Sequence, residues 1–104
     1  MSQIQDERAL VYLEDLTASR FVSIQYGSMQ ALRAMRNPQA APVLVRRLDD
    51  KDGTVRYLAV ISLAETFGKY GDYAPNMNLF DSNPALYVDL WKAWWVQEGH
   101  AASD

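Results

Sequence analysis

Residues 55–66 read Val55-Arg-Tyr-Leu-Ala-Val-Ile-Ser-Leu-Ala-Glu-Thr66, and a faint copy lies 31 positions earlier as Ile24-Gln-Tyr-Gly-Ser-Met-Gln-Ala-Leu-Arg-Ala-Met35. Tyrosine and leucine recur at matching places, and small or aliphatic residues align between the two stretches. Internal repeats of this kind are typical of stacked units, in which neighbouring units share an apolar surface. The repeat therefore predicts a solenoid rather than one closed core.

The stretches that precede the two copies match as well. At an offset of 32, four apolar residues of the first stretch align with four of the second: Ala9 with Ala41, Val11 with Val43, Leu13 with Val45, and Leu16 with Leu48. Apolar residues in all these segments recur at spacings of three and four, the period of an amphipathic α-helix. The pattern predicts helices over residues 4–16, 20–36, 38–48 and 54–67. Their apolar stripes, which include Val11, Phe21 and Ile24, are expected to face inward.

The patterns together predict one all-α domain: a short α-α solenoid of two helical hairpins with a C-terminal capping helix. The expected boundaries are residues 4–36 for the first hairpin, 37–68 for the second, 69–83 for a loop, 84–98 for the capping helix and 99–104 for a flexible tail. A loop of that length is long for a helix–helix connection, and long loops often carry function. Gly27 interrupts the second helix, and we expect it to allow the close approach of a neighbouring helix.

Composition narrows the class of protein. The chain has 104 residues, nearly half of them apolar, and a net charge of −3, which argues against wholesale electrostatic binding to nucleic acid or anionic membrane. It contains no cysteine, which excludes disulfides and thiol chemistry. The N-terminal residues are acidic where a signal peptide would be basic, and no apolar run reaches membrane-spanning length. We therefore expect a cytoplasmic location.

The second hairpin carries a recognisable set of residues: Pro42-Val-Leu-Val-Arg-Arg-Leu48, then Asp50, Val55-Arg56 and Leu63. This set resembles the HEAT-repeat signature, and the short period is closest to compact bacterial HEAT-like repeats. The resemblance implies that Pro42 bends the first helix of its pair. It also implies that Asp50 and Arg56, six positions apart, belong to a hydrogen-bond ladder between successive repeats. In the first hairpin, Gln25 stands where that arginine would be.

The predicted capping helix has a heavy aromatic face. Trp91, Trp94 and Trp95 lie within five positions, and the resemblance extends to the terminal helix that closes short bacterial HEAT-like domains. Successive residues diverge by about 100° around a helix, so Trp94 and Trp95 cannot face the same way. We expect Trp91 and Trp94 in the core and Trp95 at an interface or partly exposed.

No set of residues indicates catalysis, a cofactor or a metal. His100 is the only histidine and lies near the end of the chain, where nothing is expected to orient it. The cluster of Asp49, Asp50 and Asp52 lacks the pattern of a calcium loop, and helix capping explains it better. We therefore expect a protein that is not an enzyme and has no cofactor.

The expected function is non-catalytic protein–protein interaction, as a scaffold or adaptor. The binding surface would be the concave face formed by the second helices of the pairs, together with the aromatic C-terminal region. Candidate contact residues are Gln25, Arg33, Arg36, Arg56, Glu65, Tyr73, Phe80 and Trp95. The residues specify no partner. A two-fold homodimer through an exposed end of the stack is a further expectation.

Two other functions remain open from the sequence. Arg33, Arg36, Arg46, Arg47 and Arg56 could form a basic face that follows phosphates, in the style of HEAT-like DNA glycosylases, although those chains are considerably longer. Alternatively, the loop from Tyr70 to Phe80 could cover a pocket for a small molecule.

Overall fold

The computed structural model describes the backbone of residues 3–99 and the side chains of residues 8–97. The described residues form helices and no strand. The α-helices are α1 (Gln3–Thr17), α2 (Val22–Met35), α3 (Ala41–Arg47), α4 (Gly53–Phe67), α5 (Met77–Ser82) and α6 (Pro84–Trp94). None of the helices within residues 3–99 is both long enough and apolar enough to cross a membrane. The tail predicted for residues 99–104 lies, from His100 onward, outside the described residues.

The first hairpin consists of α1 and α2, which pack side by side across a short turn at residues 18–21. Within the turn, the Ser19 Oγ accepts a hydrogen bond from the Phe21 backbone N–H (3.1 Å). Met29 and Leu32 of α2 are fully buried, and Leu10 of α1 is nearly so. The hairpin therefore buries one side and presents the other to solvent.

The second hairpin begins at Asn37, whose side chain accepts a hydrogen bond from the Gln39 backbone N–H (2.9 Å). The single helix predicted for residues 38–48 is divided, because a 3₁₀ turn at Pro38–Ala40 leads into α3. Pro42, in the first turn of α3, has no N–H with which to extend an α-helical ladder back to Pro38. Pro42 thus separates two helix geometries instead of bending one continuous helix.

Helix α4 is the central element of the molecule. The Asp52 carboxylate starts it by accepting hydrogen bonds from the backbone N–H groups of Thr54 (2.8 Å) and Val55 (3.2 Å). It packs against α2 of the first hairpin, against α3 of its own hairpin, and against α6. Eight of its fifteen residues are buried. Contact with several neighbours explains why its sequence is apolar nearly all round.

A third layer closes the stack beside α4. The segment predicted as a loop, residues 69–83, contains a 3₁₀ turn at Gly71–Tyr73 and the helix α5, which the sequence analysis missed. The Asn76 side chain starts α5 by accepting a hydrogen bond from the Leu79 N–H (2.9 Å). Phe80 anchors α5, because its fully buried ring packs edge-on against Tyr57 of α4 (5.5 Å between centroids). Trp91 and Trp94 of α6 are buried as well.

Some apolar residues of the first hairpin that were expected to face the core are exposed instead. Val11, Phe21 and Ile24 were expected to face the core, but their side chains are 63%, 55% and 40% exposed. Helix α2 packs mainly against α1 and α4, so Phe21 and Ile24 at its start are not covered by another described helix. Val11 lies on the exposed side of α1.

The explanation expected for Gly27 is wrong. A Cβ atom built at this position would meet no atom within 4 Å outside the glycine's immediate surroundings, and the residue is exposed. No neighbouring helix therefore requires a glycine in the middle of α2. Gly68, by contrast, follows α4 with φ of 66°, in the left-handed region that favours glycine.

These two glycines support a matched pair of substitutions. Gly27→Ala is expected to stabilise the fold by about 0.5–1 kcal/mol, because alanine is the better helix former and the space is open. Gly68→Ala is expected to destabilise it by about 1 kcal/mol, because a Cβ atom strains the left-handed conformation. Urea unfolding of both variants measures the free energies. Effects of the same sign would contradict this account of the backbone.

Candidate functional site

The Asp50 carboxylate ties the two hairpins together. Its Oδ2 accepts hydrogen bonds from Gln25 Nε2 of α2 (3.1 Å) and from Arg47 Nη1 (3.2 Å), while its Oδ1 accepts one from the Asp52 N–H (2.9 Å). Gln25 Nε2 also donates to the Thr17 carbonyl at the end of α1 (2.9 Å). Gln25 thus makes the contact between successive hairpins that the resemblance implied for an arginine. The Gln25 side chain is buried and holds the two hairpins together, so it is not a surface contact for a partner.

Arg56 has a different partner from the one implied by the resemblance. Its Nη1 donates to the backbone carbonyls of Asp50 (2.8 Å) and Lys51 (3.1 Å), not to the Asp50 carboxylate. The carboxylate is taken by α2 and α3 residues, and α6 occupies the side where a following repeat would stack. The expected Asp50–Arg56 ladder bond is therefore replaced by a bond that stabilises the turn within one hairpin.

Arg33, Arg36 and Glu65 lie together at the C-terminal ends of α2 and α4. Arg33 Nε donates a hydrogen bond to Glu65 Oε1 (2.8 Å), and Arg33 Nη2 donates one to Glu65 Oε2 (2.9 Å). The two residues thus form a bidentate salt bridge between the hairpins. The three residues line a shallow groove of about 440 Å³ with Gln30 and Ala34. Of the eight candidate contact residues, these three form one cluster on the surface.

The ion pair shifts both of its members. The hydrogen bonds from Arg33 hold the pKa of the Glu65 carboxyl below its ordinary value of 4.5, against the opposing effect of partial burial, and Arg36 adds a favourable charge. The hydrogen bond to Glu65 likewise raises the pKa of Arg33. Glu65 therefore stays ionised in mildly acidic solution, with two guanidinium groups beside it.

The aromatic residues among the candidate contacts belong to the third layer, which consists of residues 69–83 and α6 and closes the stack beside α4. Phe80 is fully buried, so its side chain is not accessible to a partner. Tyr73 is half-buried and packs edge-on against Trp91 (5.1 Å between centroids), and its carbonyl accepts a hydrogen bond from Trp91 Nε1 (3.0 Å). Trp95 is half-buried against the core. The aromatic C-terminal region thus covers the end of α4, with Phe80 at the end of the loop buried against it.

The face of α2 that points away from the core was not recognised from the sequence. Ser23, Gly27, Gln30 and Ala34 are all exposed and recur at helical spacing along one side of the helix. We call this side, together with Arg33, Arg36 and Glu65, the second-helix face. The helical spacing of the small residues on this side could have been noticed in the sequence. These residues include both polar and apolar side chains, however, so they give no periodic signal in hydropathy.

Most of the central arginines are engaged within the protein. Arg46 pairs with Glu14 of α1, Arg47 with Asp50 and Arg33 with Glu65. Arg56 is bound to carbonyls of its own turn. Among the central arginines, all of which lie in the described part of the chain, this pairing leaves no continuous track of unpaired cations. Among the described side chains, no three acidic or histidine groups converge on a point where a metal could bind.

The Arg33–Glu65 pair is expected to show a pH-dependent coupling. Because the pKa of Glu65 is lowered in the folded state, its stabilising effect is present above pH 4.5 and is lost as pH falls through the lowered pKa. A double-mutant cycle with Arg33→Ala and Glu65→Ala should give roughly 0.5–1 kcal/mol at pH 7, a modest value because Arg33 is about one-third exposed. Urea unfolding from pH 7 to pH 3 measures it, and Arg33→Ala combined with Asp81→Ala is the uncoupled control. A coupling that grew on acidification would contradict the assignment.

Comparison with known proteins agrees with this architecture. The family model described as PBS lyase HEAT-like repeat matches residues 24–50, which span most of α2, all of α3 and the start of the following turn. No curated protein and no solved structure gives a significant match. HEAT-like repeats are in general a non-catalytic fold used in protein interaction. The match over residues 24–50 and the stacked hairpins support a HEAT-like repeat in this part of the chain, and the described residues form an all-α solenoid.

Proposed function

We propose that the protein is a non-catalytic protein-binding module, a scaffold or adaptor that holds its partner on the second-helix face. The observation that carries the proposal is that the α2 side of this face is exposed, with no other described element packed over it. Ser23, Gly27, Gln30 and Ala34 are exposed, and Gly27 has open space around it. Small side chains of this kind let the backbone or a helix of a partner come close.

A charged cluster at one end of the face supplies specificity. The groove beside Ala34 is bounded by the Arg33–Glu65 pair and by Arg36. Because the pair is held by two hydrogen bonds, the groups that a partner would meet are already oriented. Ordering them in advance lowers the entropy cost of binding. The small residues and this cluster make the second-helix face a surface with shape and charge suited to a protein ligand.

A second contact surface lies at the start of α2, where Phe21, Val22 and Ile24 are exposed. We call these three residues the open end. The Arg20 guanidinium lies over the Phe21 ring (5.1 Å to its centroid), and Phe21 is still 55% exposed. Exposed apolar side chains in a group mark interaction sites. Our proposal for the open end is contact with a second copy of the chain.

Two-fold pairing suits this end of the stack. An isologous contact buries both copies of the patch at once and closes, whereas head-to-tail stacking would continue into filaments. Asp15 and Arg20 are exposed near the patch, so that a two-fold arrangement can place opposite charges across the interface. Burial of apolar area stabilises such a dimer by roughly 25 cal/mol per Å².

Binding on the second-helix face can be tested by covering it. The double variant Gly27→Gln/Ala34→Gln places two long side chains on exposed positions of α2 and should remove captured partners. The matched control, Ala85→Gln/Ala93→Gln, places the same side chains on exposed positions of α6 and should retain them. Quantitative affinity capture from the native host with mass spectrometry compares the two. The proposal fails if the two variants retain the same partners or if no protein is enriched over the tag alone.

Self-association is expected to depend on the open end. Sedimentation equilibrium should show a dimer at high concentration for the native chain and a monomer for Ile24→Asp, because a buried unpaired carboxylate disfavours the interface. Leu86→Asp on α6, at a comparably exposed apolar residue, is the control and should still dimerise. A monomeric mass for the native chain at high concentration would contradict the proposed dimer.

A further inference from the structure

Arg36 has a backbone conformation that favours glycine. Its φ and ψ are 49° and 42°, and it is the only residue other than glycine with positive φ among the described residues. The other second helix, α4, ends in the same left-handed conformation, but there the residue is Gly68. A side chain in this conformation is strained by contact between Cβ and the following carbonyl. Arg36 therefore keeps a long side chain where the fold alone would favour none.

The Arg36 side chain has no acidic partner among the described residues, although Glu65 lies near enough for the Arg36 charge to help lower its pKa. Glu65 is already bound through both of its oxygens to Arg33. The groove of Gln30, Arg33, Ala34, Arg36 and Glu65 thus carries one positive charge in excess, on an exposed guanidinium. Arg33 Nη1 is a further donor that takes no part in the pair, because Nε and Nη2 are the atoms that bind Glu65.

We propose that this groove binds a carboxylate side chain of an acidic protein segment, and that Arg36 is the residue that contacts it. The inference rests on the proposed function, since it names the chemistry of the partner on the second-helix face. A single excess charge matches one carboxylate, and the Arg33–Glu65 pair beside it shows the same pairing already made within the chain.

A phosphate backbone fits this groove less well. The ionised Glu65 limits the groove to one excess positive charge, which suits a single anionic group and not a run of phosphates. A nucleic acid would also need further unpaired cations along its path, but Arg33 in the groove and Arg46 and Arg47 elsewhere on the protein are paired with acids. These observations favour a protein segment over a nucleic acid.

A purely structural role for Arg36 predicts a different result. An arginine at the end of a helix can stabilise it by facing the negative end of the helix dipole. In that case Arg36→Gly would lower the melting temperature. If Arg36 is kept for binding, the same substitution relieves the strained backbone and raises the melting temperature by roughly 2–5 °C. Stability and binding then change in opposite directions.

The test uses N-acetyl-hexaglutamate as the probe and the full chain labelled with ¹⁵N. Titration of the native protein should shift the amide resonances of residues 30–37 and 64–66, and hexalysine should not. Arg36→Gly should weaken probe binding about tenfold while raising the melting temperature. Arg36→Lys should keep most of the binding. Lys51→Gly, which removes one positive charge at an exposed position in the turn before α4, is the matched control and should bind the probe like the native chain.

Three results would overturn the inference: unchanged probe binding by Arg36→Gly, a lower melting temperature for Arg36→Gly, or tighter binding of a 12-base-pair DNA duplex than of the probe at the same salt concentration. Failure here is distinguishable from failure of the proposed function. If Gly27→Gln/Ala34→Gln still removes captured partners while Arg36→Gly retains them, the face binds protein and only the role of Arg36 is wrong.

Discussion

The architecture depends on one buried carboxylate. Asp50 accepts hydrogen bonds from α2, from the end of α3 and from its own turn, so it fixes three chain segments at one point. Because the Asp50 side chain is only 7% exposed, the bonds that replace its hydration must all be made within the protein. The Gln25 amide completes the set and continues to the carbonyl of Thr17 at the end of α1. Apolar packing brings the two hairpins together. The hydrogen bonds of Asp50 and Gln25 fix the position of one hairpin relative to the other.

The two sides of the described stack differ in how they are covered. Beyond α4, the buried aromatic residues of α5 and α6 take the place of a further hairpin, and Lys92 of α6 pairs with Asp49 in the turn of the second hairpin. On the other side of the first hairpin, apolar residues at the start of α2 remain uncovered. A solenoid unit has two faces to bury, so a stack with one closed side retains a surface suited to association.

The charges of the protein serve mainly the stack itself. Glu14–Arg46, Arg33–Glu65 and Arg47–Asp50 all connect segments that are distant in sequence or secure a turn. The exposed Glu14–Arg46 pair contributes little to stability, whereas the more buried Arg33–Glu65 and Arg47–Asp50 pairs help to select one arrangement of the hairpins. Arg36 differs from these arginines in both its backbone and its side chain. A residue that departs from the local rule while its neighbours obey it is a candidate for function.

The sequence by itself determined the helices, their pairing into repeated hairpins and the HEAT-like class, because helical periodicity and an internal repeat are local patterns. It did not reveal α5, because a six-residue helix leaves too short a pattern and depends on Phe80 reaching α4. Nor could it show that Phe21 and Ile24 are exposed or that Gly27 has open space, since exposure depends on which helices pack against α2. Only the tertiary structure decided which of the candidate residues share a surface. Burial, ion pairing and a left-handed φ at Arg36 depend on which helices lie next to one another, and a linear pattern does not contain that information.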